Sequence, residues 1–299
     1  MLKLSHVTKY YDNHLAVDDL SFEVKDGEIF GLLGVNGAGK TTTFRMITGL
    51  LDKTSGEITF NGKNIDYSVT DQIGFLTEER SLLTKLTVLE QALLYGGLKG
   101  LYEDEVEKRL DKLLERLNIT EYKNRKIKEL SKGNQQKVQL IMSIINEPKL
   151  LILDEPFSGL DPINIELFKD IIMELKNKGT SIIFSSHRMD HVEYFCDALV
   201  ILVKGKTVLQ GNLKEIKEEY RKKNIIVEGI IDKEKIESIP GVVNVEENKG
   251  TYTISIEDIK INEKVFKEVS KSKNITKYVL EDASLHEIFI SKVGETYEK

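Results

Sequence analysis

Gly34-Val35-Asn36-Gly37-Ala38-Gly39-Lys40-Thr41 has the residue types and spacing of a phosphate cradle, G-x-x-x-x-G-K-[ST]. Glycines let successive backbone N–H groups curl around an anion, and a helix opening directly behind them turns its positive end to the same point. Lys40 is expected to reach the β- and γ-phosphates of a nucleotide. Thr41 offers a hydroxyl to Mg2+, and Thr42 adds another to the cradle. The predicted nucleotide contacts are therefore Gly34, Asn36, Gly37, Ala38, Gly39, Lys40, Thr41 and Thr42. An apolar run (29–34) before the loop and a helix-like stretch (41–50) after it give the strand–loop–helix context that an incidental glycine-rich turn lacks.

Such a cradle needs an acidic partner. Leu150-Leu151-Ile152-Leu153 reads as a buried central strand that ends on Asp154-Glu155. Asp154 is expected to hold Mg2+, directly or through water. Glu155, pointing the opposite way by strand alternation, is expected to polarise an attacking water. Carboxylates also end strands merely to reach solvent, so the pair takes its meaning from the P-loop.

The elements that must position these residues follow from the hydrophobic pattern. Residues 1–30 alternate as strands, with Asp26-Gly27 a hairpin signal between the last two. A second short β unit runs from Glu57 to Phe60, turns at Asn61-Gly62 and resumes at Gln72 to Leu76. Residues 86–145 carry leucines at helical spacing, with charges on the other face, and read as a helical insert. Strands at 150–153, 181–186 and 198–203 then alternate with helices, which implies a parallel sheet with ligands at its carboxyl edge. Asp161 as N-cap, Pro162 at the first helical position and Gly179 at the stop punctuate one of those helices.

After residue 215 a Lys/Glu-rich linker helix (216–224) leads into a smaller unit, 225–299. Its order βαββαβ matches a split βαβ, ferredoxin-like α+β sandwich, and an amphipathic segment, 284–293, ends the chain. The net charge of -6 disfavours a nucleic-acid coat, so no nucleic acid is expected as partner. One cysteine, Cys196, permits neither an internal disulfide nor a cysteine-rich metal site. The N-terminus turns polar too early for a signal peptide, and the apolar runs fall far short of the ~20 residues that span a bilayer. A soluble, intracellular protein is expected.

Three further motifs follow the P-loop in fixed order: Leu130-Ser131-Lys132-Gly133-Asn134-Gln135-Gln136, then Ser158-Gly159-Leu160-Asp161, then Ser185-Ser186-His187. Together with the P-loop and the acidic pair they resemble the ATP-binding subunit of ABC transporters, over essentially residues 1–215. The resemblance implies an α/β fold: a P-loop NTPase core of ABC type with an antiparallel β subdomain and a helical insert. It implies that Tyr11 stacks on adenine, with neighbouring Tyr10 as the alternative. Ser131, Lys132, Gly133 and Asn134 correspond to the signature loop, which in the family serves ATP held by the other subunit. Asp161 resembles the residue that couples the two sites, and its capping role can coexist with that. His187 resembles the switch histidine that senses the γ-phosphate.

Two positions depart from the family pattern. Glu78 stands where Gln is usual; it keeps an oxygen for Mg2+ or water and loses the amide donor, with adjacent Glu79 as an alternative register. Lys132 and Asn134 replace the Gly and Gln of LSGGQ. The implied partners are a membrane-spanning permease subunit and a second ATPase subunit, identical or paralogous. The apolar stretch Leu82, Leu83, Leu86, Val88 and Leu89 is the expected docking surface. The C-terminal part and the stretch LTEERSLLTKLTVLEQ are similar to bacterial exporter ATPases for sodium, antibiotics or peptides. The expected location is cytoplasmic, peripheral on the inner face of the membrane. The rival reading is a non-transport ABC ATPase acting in regulation or assembly; a small-molecule kinase would have no reason to carry residues 130–136 or His187.

Overall fold

A computed structural model describes residues 1–79, 81–220, 222–272 and 274–297. Of the segments read above, Arg80, Arg221, Lys273, Glu298 and Lys299 lie outside the described residues. The chain divides into two compact units, Met1–Gln210 and Gly211–Lys299.

The first unit opens with β1 (Leu2–Tyr11) and β2 (His14–Val24), a long hairpin whose one face is buried and whose other is wet. β3 (Ile29–Gly34) is buried at every residue and runs into α1 (Lys40–Ile47). β4 (Ser55–Phe60) and β5 (Lys63–Asn64) complete a four-stranded sheet of order β2-β1-β4-β5. After the short α2 (Tyr67–Thr70) comes β6 (Ile73–Leu76). The helical region holds α3 (Val88–Leu98), α4 (Glu103–Arg116) and α5 (Lys132–Ile144). Then follow β7 (Leu150–Asp154), α6 (Pro162–Asn177), β8 (Ser181–Ser185), α7 (Met189–Phe195), β9 (Ala198–Val203) and β10 (Lys206–Asn212). Strands β3, β6, β7, β8 and β9 pair in parallel within a six-stranded sheet of order β10-β9-β3-β8-β7-β6.

Two turn readings are corrected by this topology. Asp26-Gly27 is not a hairpin, because β2 and β3 belong to different sheets. β2 alternates buried and exposed, as a one-sided antiparallel strand must, whereas β3 is apolar on both faces and seeks parallel neighbours. The local turn at 25–28 closes all the same, with the Glu28 N–H donating to the Lys25 carbonyl at 3.2 Å. Likewise Asn61-Gly62 joins β4 to β5 with left-handed φ at both residues (51° and 74°), while β6 leaves to pair with β7.

The helix starts are readable in their caps. Thr87 and Glu90 form a reciprocal capping box on α3, and Asp161 Oδ1 accepts the Asn164 N–H at 2.9 Å to cap α6. α5 is buried along its length from Gln136 and lies so close to β6 that a Cβ on Gly74 would meet the Ser143 carbonyl oxygen at 2.0 Å.

The second unit holds α8 (Leu213–Glu219), β11 (Lys223–Glu228), α9 (Lys233–Glu237), β12 (Val242–Asn248), β13 (Thr251–Ile256), α10 (Asn262–Val269), β14 (Lys277–Asp282) and α11 (Leu285–Tyr297). Its sheet order β12-β13-β11-β14, antiparallel throughout, is that of two interleaved split βαβ units. Ile225, Val227, Ile254 and Ile256 form the centre of its own core. Ile254→Ala is expected to cost about 2–5 kcal/mol. Native-state hydrogen exchange would read this as lost protection of the β11–β13 amides; protection equal to wild type would show that this core does not hold the unit together.

Candidate active site

The end of β3 and the start of α1 form a tight loop that only glycine can make at two points. Gly34 has φ +155°, and a Cβ there would meet the Leu202 carbonyl oxygen at 2.5 Å. Gly39 has φ +106°, and a Cβ there would meet the Ala16 carbonyl oxygen at 2.6 Å. The loop is thus clamped between β9 and β2, with backbone N–H groups free to face an anion. Lys40 Nζ donates to the Gly34 carbonyl at 2.7 Å and the Val35 carbonyl at 3.3 Å. Burial pushes its pKa down from the usual lysine value, and the negative charges of Asp154, Glu155 and Glu78 partly restore it.

Asp154 ends β7 and is 4% exposed. Its Oδ1 accepts from Ser185 Oγ at 2.5 Å. Burial nevertheless raises its pKa above the ordinary aspartate value, with the Ser185 bond and the Lys40 charge opposing and Glu78 reinforcing. Glu155 departs from the expected alternation. The strand stops at Asp154, and Glu155 turns into the left-handed region at φ +50°, so that both carboxylates line the same cleft. Its backbone N–H donates to the Ser185 carbonyl at 3.2 Å. Its side chain meets Ser186 Oγ at 3.4 Å and His187 Nε2 at 3.6 Å. Oε1 of Glu155 is buried without a hydrogen-bond partner. Burial raises this carboxyl's pKa, opposed chiefly by the His187 charge.

A cleft of about 400 Å³ gathers Asn36 to Thr42, Tyr11, Glu78, Asp154, Glu155 and His187. Tyr11 and not Tyr10 lines it, although both rings are exposed. Lys9 Nζ stands 5.3 Å from the Tyr11 ring centroid, a cation–π arrangement. His14 and Ala16, at the start of β2, also line the cleft. Their sequence carried no sign of this, because only the β1–β2 register, with Tyr11 opposite His14, brings them there.

Ser131, Lys132, Gly133 and Asn134 are not among the cleft residues, nor is Asp161. Ser131 caps α5, its Oγ accepting the Asn134 N–H at 3.3 Å. Gly133 faces the Gly159 carbonyl, 3.7 Å from where its Cβ would stand. The capping bonds from Asn164 and Ile163 hold the Asp161 carboxyl below its usual pKa. Two buried glutamines of α5 reach back toward the cleft. Gln139 Nε2 donates to the Thr77 carbonyl at 2.8 Å and to Thr77 Oγ1 at 3.0 Å, and Gln136 Nε2 donates to the Pro156 carbonyl at 3.0 Å.

Comparison with known proteins agrees with this architecture. Residues 17–158 match the family described as ABC transporter, and residues 211–293 match the C-terminal domain described as ATP-binding protein DrrA1-3-like. The ABC transporter ATP-binding protein YhaQ of Bacillus subtilis (strain 168) is 48% identical over 298 residues, 100% of both chains. The linearmycin resistance ATP-binding protein LnrL of the same organism is 35% identical over 219 residues, 72% of this chain and 70% of that one. A dimeric structure of the ATP-binding cassette MJ0796, bound to ADP and Pi, superposes with a TM-score of 0.66 at 25% identity, covering 71% of this chain and 99% of the other. With a relative matched from end to end at nearly half its residues, this chain belongs to the ATP-binding subunits of ABC transporters and is an ATPase.

Proposed function

We propose that ATP occupies the cleft with its phosphates on residues 34–42 and its adenine on Tyr11, and that two chains close face to face around two nucleotides. The observation that carries this reading is an incomplete site. The cleft collects Lys40, Glu78, Asp154, Glu155 and His187, yet Ser131 to Asn134 and Asp161 stay out of it. The signature loop sits at the start of α5, where free backbone N–H groups and the helix dipole suit a γ-phosphate brought by a partner. The MJ0796 dimer supports the pairing of two cassettes.

In this reading phosphate oxygens replace the Gly34 and Val35 carbonyls as acceptors for Lys40. The donor set fits Mg2+: Thr41, Asp154 and Glu78 offer hard oxygens. Mg2+ characteristically keeps phosphate and water oxygens beside one or two carboxylates, which this donor set allows. When bound, the ion supplies neutralisation of charge on the β- and γ-phosphates. Glu155, its Oε1 without a hydrogen bond and its pKa raised by burial, is the general base that takes a proton from the attacking water. His187, half-exposed at the mouth, holds Glu155 on one side and faces the γ-phosphate on the other.

The permease is the partner that closure pulls upon. No helix among the described residues is long and apolar enough to cross a membrane. A groove of about 630 Å³ between the parallel sheet and the helical region suits a helix from that partner; Leu50, Ile65, Phe75, Tyr95 and Met142 are part of its lining. Leu50, Leu83 and Leu98 stand exposed, while Val88 from the expected docking stretch is core. The resistance function in the name of LnrL supports export as the direction, with the chain peripheral on the cytoplasmic face.

Glu155→Gln is expected to lower kcat about 10²–10⁴-fold while ATP binding persists and a dimer accumulates, measured by phosphate release and by light scattering with ATP. Retained turnover would remove Glu155 from the role of base. Lys40→Ala is expected to weaken ATP binding itself, read by fluorescent-nucleotide titration; unchanged affinity would count against the phosphate cradle. Asp154→Asn is expected to abolish turnover and yet make the nucleotide-free protein more stable than wild type at pH 8. The sign follows from a folded-state pKa above the unfolded one. Ionised Asp154 then opposes folding above its folded pKa, and this disappears as pH falls through that value toward the unfolded pKa. Chemical denaturation of both proteins between pH 4 and 8 checks it; a stability gap that does not narrow toward acid would refute the assignment.

A further inference from the structure

Of the five histidines, His191 alone is buried. It lies on α7, four residues beyond His187, and its side chain is 6% exposed. The ring stands edge-on to Phe157, with centroids 4.7 Å apart and planes at 76°. Phe157 belongs to the loop between Glu155 and Asp161, and it also packs on Phe184 of β8 and Phe195 of α7. Phe184 directly precedes Ser185-Ser186-His187. This ring cluster therefore forms the floor beneath both loops that carry the proposed base and its histidine partner.

The polar edge of His191 is poorly served there. Nδ1 is buried without a hydrogen-bond partner, and Nε2 is 4.0 Å from Asp190 Oδ2. Beside the ring opens a cleft of about 270 Å³ between α6 and α7. The charged groups facing it are Glu166 and Lys169 from α6 and Arg188 and Asp190 from the start of α7, with Tyr194 the remaining titratable side chain. Glu166 is paired with Lys169 at 2.9 Å, and Asp190 with Arg188 at 2.6 Å. A neutral imidazole fits the slot against Phe157. An imidazolium would bring a second N–H donor into a place with no acceptor, whereas two carboxylates wait on the cleft side. Burial, reinforced by Arg188, accordingly holds this histidine below the usual pKa.

We propose that His191 is a positioning residue for ATP hydrolysis: neutral, its ring braces Phe157 and the loop from Glu155 to Asp161; protonated, it swings into the α6–α7 cleft toward Asp190 and Glu166 and releases that loop. No bond is made or broken, and the proton comes from solvent. The inference rests on the reading of Glu155 as base. It adds that part of the acid loss of activity originates two residues away, at Phe157, and not in the cleft alone.

The test uses the full chain. Steady-state kcat and KM for MgATP are measured from pH 5 to 8 for wild type and His191→Gln, each normalised to its own value at pH 8. The variant keeps a polar side chain of similar size and removes the titration. Between pH 8 and 5.5 the variant is expected to lose kcat by about threefold less than wild type, with the KM profiles alike; superimposable kcat profiles would overturn the proposal. Because the variant could fold poorly, the wild-type ring is also followed by NMR, assigned through its contact with Phe157. The His191 ring protons should titrate below about 6.5, with the Phe157 ring signals moving in step. Titration at or above that value, or an unmoved Phe157, would sink the idea. The NMR arm reads the brace whatever Glu155 does, so its failure is separable from an active Glu155→Gln enzyme.

Discussion

Charge held where water is scarce governs this molecule. Lys40, Asp154 and Glu155 share one cleft, and burial opposes the ionised form of each: the lysine pKa is pushed down, both carboxyl values up. Each of the three is held in place. Asp154 is anchored by Ser185 on the next strand, Glu155 by a left-handed turn tied to that same strand, and Lys40 by the clamped glycine loop. The fully buried strands β3, β7 and β8 are the means of enforcing this, since the burial of their apolar residues is the free energy set against the unfavourable charge. A site strained in this way gains most from a ligand that brings the complementary charges, so nucleotide binding and folding stability are linked.

The same scaffold links the cleft to the surface through α5. Its first turn presents the Ser131 cap and Gly133 at the surface, while Gln136 and Gln139, further along, are hydrogen-bonded to the loops that follow Glu155 and precede Glu78. These are buried amides holding main-chain atoms, so they transmit position and not charge. A shift at residues 77–79 or 155–157 must either break those bonds or move the helix. Packed interiors favour the second, because an orphaned amide costs about 1–3 kcal/mol.

Local chemistry was legible in the sequence, and long-range pairing was not. The P-loop, the acidic pair and the cap at Asp161 are contiguous, so residue type and spacing carried them. The βαββαβ order of the second unit was equally readable, and β13 alternates strictly against its own core. What failed was partner choice: Asp26-Gly27 has the residues of a hairpin, but whether the flanking strands pair is decided by β8 and β9, more than 150 residues on. Glu155 failed for a related reason. Alternation assumes that the strand continues, and here the carbonyl of Ser185 captures the Glu155 N–H and bends the chain. His14 and His191 were invisible because their surroundings are made by register and by helix docking, of which a single residue bears no mark.

The two units differ in how their buried polar atoms are matched, and the difference separates scaffold from site. In the second unit Asn224, nearly buried on β11, donates to both carboxylate oxygens of Glu287 and accepts from Ser255 Oγ at 2.9 Å. Glu287 Oε2 also accepts from the Ser284 N–H and hydroxyl, each at 2.8 Å, and its own N–H donates back to Ser284. Ser284-Leu285-His286-Glu287 is thus a capping box that at once starts α11 and locks it onto the sheet, which accounts for polar residues in an otherwise apolar segment. Here the partners on view satisfy one another and hold a helix in place. Among the described residues of the first unit, the buried side-chain atoms without a hydrogen bond are Glu155 Oε1 at the cleft, His191 Nδ1 against Phe157, and Gln139 Oε1 and Gln91 Nε2 in the helical region. A fold tolerates such atoms only where something else over-determines the structure, and that is where a ligand or a proton has most leverage.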